Sequence, residues 1–131
     1  MKKILLLSIV VAGLSAVSSA QTKPVQTAKI KTPNALCAEC KTRIEMYLRR
    51  YDGLVFLDVN YRKGETTVKY LTDRIDIEQI KTAISNIGYD ADDVPANEEA
   101  YKRLPKSCKK FEDGGGHPKP KVPATPPPSA Q

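Results

Sequence analysis

Between Val25 and Val94 the spacing of apolar residues changes from strand-like to helix-like and back, twice over. That order constrains the fold more than any other feature of the chain. Val25–Lys31 alternates weakly and reads as a strand, which Thr32-Pro-Asn34 interrupts. From Cys37 the pattern turns helical: Ile44, Tyr47, Leu48 and Tyr51 recur at three- and four-residue spacing, and Asp52-Gly53 ends the run. Leu54–Tyr61 and Glu65–Leu71 are β-rich and flank the turn Arg62-Lys-Gly64, which makes them a hairpin. Asp76 is then placed to cap a second helix, with Gln79 as its capping-box partner, Ile77, Ile80, Ile84 and Ile87 on one face, and Gly88 just past the end. Tyr89–Val94 offers a short last strand. Asn97 can cap a brief third helix over Glu98–Arg103, which Pro105 stops. Strand, helix, strand, strand, helix, strand predicts an α+β, ferredoxin-like βαββαβ sandwich. In it a four-stranded antiparallel sheet carries two helices on one face, followed by a short C-terminal helix and a disordered tail.

The ends of the 131-residue chain contribute little to this core. Met1-Lys-Lys3, an apolar run from Ile4, and small residues up to Ala20 have the form of a secretory signal cut before Gln21. The apolar run is short for a bilayer span of about 20 residues, so a cleaved leader is expected rather than an anchor. The leader has no cysteine to carry a lipid, and no stable membrane insertion is expected once it is gone. From Gly114 the chain is rich in glycine, proline and lysine and reads as an extended tail. The expected segments are a signal peptide at 1–20, a folded domain at 24–95, a C-terminal helical extension at 96–110 and a tail at 111–131. The net charge of +6 is diluted by many carboxylates, partly leaves with Lys2 and Lys3, and partly sits in the tail. Without a basic stripe interleaved with aromatics, nucleic acid is not expected as a partner.

Cys37 and Cys40 fall where the first helix begins. Unpaired backbone N–H groups and the positive end of the helix dipole favour thiolates there, so lowered pKa values are expected. Two adjacent thiolates suit a soft cation: Cu(I) accepts two sulfurs, whereas Zn(II) usually takes four ligands. The same pair at a helix start also serves thiol–disulfide oxidoreductases, and an exported chain could simply oxidise it to a structural disulfide. Against the oxidoreductase, the chain has no tryptophan and the order of elements is not that of a thioredoxin. The only histidine, His117, lies in the tail, so no thiol has a positioned base and an enzyme is not expected. The third cysteine, Cys108, could be a further sulfur ligand, bond to Cys37 or Cys40, or stay free for a partner. Asp90, Asp92, Asp93, Glu98 and Glu99 lack the ligand rhythm of a calcium loop and read as a solvated face.

Taken in order, the first strand, Cys37-Ala-Glu-Cys40 with Arg43, Ile44 and Glu45 following, Gly53, the hairpin, the second helix and Gly88-Tyr89 resemble the heavy-metal-associated domain. The family includes copper chaperones, metal-binding domains of copper-transporting ATPases and periplasmic mercury-binding proteins. The resemblance spans about Val25 to Val94. It implies that Cys37 and Cys40 are the metal ligands, that Tyr89 lies close to the metal and shields it, and that Cu(I) is the cargo, with Hg(II) or Zn(II) as alternatives. It further implies buffering, or transfer to a metal-transporting ATPase or another donor or acceptor protein; the leader makes the periplasm or the outside of the cell the expected location. Lys41, Arg43, Arg49 and Arg50 could then steer docking onto an acidic partner. This chain departs from the family's pattern at Asn34 and Ala35, where many members have Gly-Met before the first cysteine.

Overall fold

The computed structural model describes residues 24–116. The leader and most of the tail, including His117, lie outside the described residues. The first strand, β1, covers Val25–Lys31 and is followed by helix α1 over Ala38–Leu48. Strands β2 (Leu54–Asn60) and β3 (Glu65–Leu71) form the expected antiparallel hairpin, and α2 occupies Ile77–Asn86. A short helix α3 (Glu98–Lys102) and two 3-10 turns, Lys106–Cys108 and Phe111–Asp113, complete the chain. The second turn is ordered beyond the expected tail boundary at 111: Tyr101 donates its hydroxyl proton to Asp113 and accepts from the Lys110 amide.

The helices form where local chemistry specifies them. Asp76 accepts from the Gln79 amide at 2.8 Å, while the Gln79 side chain accepts from the Asp76 amide at 3.0 Å, so both arms of the capping box are made. Ile80 and Ile84 of α2, and Ile44 and Leu48 of α1, are buried against Ile30, Val59 and Val68 of the sheet. This apolar layer is what the two helical stripes require. The loop that leads into α1 is bonded to the one following α2.

Among the described residues the sheet has three strands, in the order β1-β3-β2, and not four. Tyr89–Val94, expected as the fourth strand, folds on itself through a single Ala91–Val94 bridge. Asp92 takes a left-handed φ of 54°, its amide donates to the Lys31 carbonyl, and its carboxylate accepts from the Lys31 amide. The segment therefore meets β1 at one residue only. Its aspartates cause this: short acidic side chains capture nearby backbone N–H groups and tolerate positive φ, which diverts the backbone from a ladder. Lys81 holds the turn by pairing with Asp93 at 3.0 Å and Asp92 at 3.8 Å, and Pro95 lacks the N–H needed to continue a strand.

Candidate metal centre

The loop before α1 is fastened on both sides. Thr32 bonds Thr66 through their buried hydroxyls at 3.0 Å, and the Thr32 amide donates to the Gly64 carbonyl. Asn34 is also buried. Its side-chain oxygen accepts from the Asp90 amide at 2.9 Å, tying this loop to the one after α2. Asn34 therefore holds the two loops together at a position where the family pattern has a different residue. The sequence signals this only as a polar residue between Pro33 and the cysteines. Cys37 then caps α1: its sulfur accepts from the Cys40 amide at 3.3 Å.

All three cysteines converge. The Cys108 sulfur lies 3.0 Å from that of Cys40 and 3.7 Å from that of Cys37, and the three sulfurs lie within 4.8 Å of one another. None of the three forms a disulfide. Among the described residues this is the only group of three or more cysteine, histidine and acidic side chains arranged to hold a metal ion. Cys40 and Cys108 are fully buried, and Cys37 is partly exposed. The expectation of a lowered pKa is reversed for Cys40. Desolvation pushes the Cys40 thiol well above the ordinary range, its hydrogen bonds to the other two cysteines add to this, and burial likewise raises Cys108. The helix start favours an anion, but burial under the C-terminal extension outweighs it.

Tyr89 is buried beside Cys40 and Cys108. The side chain is fully buried, and its hydroxyl has the thiols of Cys108 and Cys40 beside it rather than a well-placed acceptor. Desolvation raises its pKa, with smaller contributions from neighbouring Cys108 and Cys40. Glu39 is solvent-exposed and accepts from the Ser107 hydroxyl, and Met46 is exposed on α1. Of the acidic cluster, Asp92 and Asp93 pair with Lys81, Asp90 with Lys110, and Glu99 with Lys102.

The heavy-metal-associated domain model matches residues 29–90, which include Cys37, Cys40 and Tyr89. The copper chaperone CopZ of Staphylococcus aureus is 37% identical over 54 residues, a match covering 41% of this chain and 79% of that protein. The chain belongs to the heavy-metal-associated domain family. Its fold is also that of the N-terminal domain of a potential copper-translocating P-type ATPase from Bacillus subtilis, solved in the Cu(I)-loaded state. That likeness has 26% identity and a TM-score of 0.50, covering 52% of this chain and 85% of that one. In this heavy-metal-associated domain a further sulfur comes from outside the matched span: Cys108 lies beyond residue 90 and yet reaches the cysteine pair.

Burial and pKa together predict the order of thiol reactivity. In the reduced, metal-free protein, iodoacetamide at pH 8 should alkylate Cys37 first. Cys40 and Cys108 should react only as the chain opens, because they are both sheltered and held as thiols. Peptide mapping of a time course checks this. Equal labelling of all three would contradict the buried cluster.

Proposed function

We propose that this protein is an exported soft-metal carrier that captures Cu(I) through Cys37 and Cys40 and buffers it or hands it to a partner. The observation that carries the reading is the pair itself: two thiols three residues apart at the start of α1, with their sulfurs brought together and one of them accessible. Thiolates select soft ions, and a two-sulfur pair suits Cu(I) better than a metal that demands four protein ligands. Relationship to a copper chaperone and to a copper-translocating ATPase domain supports the same cargo. Hg(II) shares the preference for sulfur and is the principal alternative, with Zn(II) after it. The protein acts by binding and ligand exchange, not as an enzyme.

Transfer proceeds without release of a bare ion. A partner thiolate bonds the metal as a host thiolate leaves, and the oxidation state of the metal does not change. Cys37, the partly exposed member, is the thiol an incoming partner reaches first. Docking has a basic face at hand. Lys41 is engaged by Asp58 and Glu45, and Arg49 leans toward Glu45. Arg43 and Arg50 instead line a groove with Arg103, Met46 and Tyr47, a surface suited to an acidic metal acceptor such as a transporting ATPase domain.

Titrating the reduced protein with Cu(I) against a competing chelator tests the reading, with Hg(II) and Zn(II) in parallel. Tight one-to-one capture of Cu(I) is expected. Failure to compete for Cu(I) would overturn that assignment, and failure with all three ions would remove the carrier function. Export rests on the leader at 1–20: protein recovered from the cell envelope should begin at Gln21, and a chain retaining Met1 would remove export from the proposal.

A further inference from the structure

The C-terminal extension raises a question that the cysteine pair does not answer. Why does a segment beyond the matched domain bury a thiol against the two sulfurs? A buried cysteine is often just a small apolar residue. That reading would explain burial of Cys108, but not why all three sulfurs meet, nor why the Tyr89 hydroxyl is buried with the thiols of Cys108 and Cys40 beside it. Buried polar groups are nearly always satisfied, and a thiol is a weak acceptor, so this hydroxyl is poorly satisfied until a stronger acceptor forms.

We infer that residues 96–116 form an arm that delivers Cys108 as a third sulfur ligand, so the cargo is held by Cys37, Cys40 and Cys108 together. The inference rests on the carrier reading above and specifies its coordination. Three sulfurs arranged in a plane around an ion, each about 2.3 Å from it, lie about 4.0 Å apart. The separations of 3.7 Å and 3.0 Å from Cys108 are within about an ångström of that arrangement, so small side-chain rotations complete it. Cu(I) and Hg(II) both accept three sulfurs. A four-coordinate ion finds no fourth cysteine, histidine or carboxylate in this cluster among the described residues. The Tyr89 hydroxyl then gains a stronger acceptor in a metal-bound thiolate.

The arm is fixed to the domain along its length. The Asn97 amide donates to the Ser85 carbonyl, the Ser85 hydroxyl donates to the Pro95 carbonyl, and the Ala96 amide donates to Asp90. Leu104 joins the core, Lys110 pairs with Asp90, and Ser107 is bonded to Glu39 between the two cysteines of the pair. Such an arm changes a site for passing an ion on into one for retaining it. Release needs a partner thiolate to add at Cys37, the exposed corner, while bonds to two buried sulfurs still hold the ion. Electrons stay paired throughout: one metal–sulfur bond forms for each that breaks.

X-ray absorption at the copper edge on the Cu(I)-loaded full protein and on Cys108→Ser decides the matter. Removal of Cu(I) by excess bicinchoninate is followed on the same samples. Expected are three sulfur neighbours in the parent, two in the variant, and loss of Cu(I) from the variant at least about tenfold faster, the lower end of what loss of a supporting partner costs a metal site. Two sulfurs in the parent, with unchanged release from the variant, would overturn the inference while leaving the carrier function standing. No Cu(I) binding by the parent would instead bring down the carrier reading itself. Should the serine variant fail to fold, the sulfur count of the parent still decides the coordination, and Cys108→Ala supplies the release comparison.

Discussion

Cys37→Ser and Cys40→Ser should each weaken soft-metal binding by at least about a hundredfold, and the double variant should show none, while the fold persists. The size of the effect comes from the chemistry of the ligand. Serine offers a hard, neutral hydroxyl where a soft ion needs a thiolate, and even loss of an outer-shell partner costs a metal site about 10- to 100-fold. Persistence of the fold comes from position. The Cys37 sulfur caps α1 by accepting from the Cys40 amide, and serine is among the preferred residues for that role, so the helix keeps its cap. Cys40 is fully buried, and a hydroxyl there loses about 1–3 kcal/mol if it finds no partner. In a domain of this size each kcal/mol lowers the melting temperature by about 4–8 °C. Competition titration and thermal melts on the same samples therefore separate ligand loss from destabilisation. Undiminished affinity in the double variant would overturn the metal site.

The parts of the molecule that sequence reveals are those decided locally. Helix α2 has its capping box at Asp76 and Gln79 and its isoleucines at helical spacing, and each signal lies within a few residues of its effect. The hairpin between β2 and β3 is similarly short-range. The last strand is not legible in this way. Tyr89–Val94 alternates as a strand would, but its aspartates find amide partners and a lysine on α2 that only the folded chain provides. The metal loop is half legible. The cysteine pair at a helix start is apparent, whereas the role of Asn34 depends on a backbone amide 56 residues away.

The charge state of the thiols is hidden from the sequence for the same reason. The helix terminus is visible there, but its effect on Cys40 is overridden by desolvation, and part of that burial comes from a cysteine 68 residues on. No periodicity specifies that return. It depends on how closely α3 approaches the end of α2, and the approach is set by one residue, Gly88.

Gly88→Ala should destabilise the protein by about 2–4 kcal/mol and detach the arm that carries Cys108. Two effects add. Gly88 has φ +95°, a conformation that an L side chain rarely adopts, and left-handed backbone costs about 1–2 kcal/mol for a residue with a Cβ. A Cβ at this position would also lie 2.9 Å from the Tyr101 amide nitrogen and 3.0 Å from the Ala100 carbonyl carbon. Those atoms are backbone of α3 and cannot rotate aside, so the helix must move away as a unit. Cys108 comes six residues after α3 and would move with it, leaving Cys37 and Cys40 in place. Gly114→Ala is the control: its φ of +74° carries the backbone strain, but nothing lies within 4 Å of the new Cβ. The expected pattern is a small loss of stability for Gly114→Ala with three sulfur neighbours retained. Gly88→Ala should lose more stability and should show two sulfurs at the copper edge. Equal melting temperatures and equal sulfur counts in the two variants would mean that the contact between Gly88 and α3 does not position the third thiol.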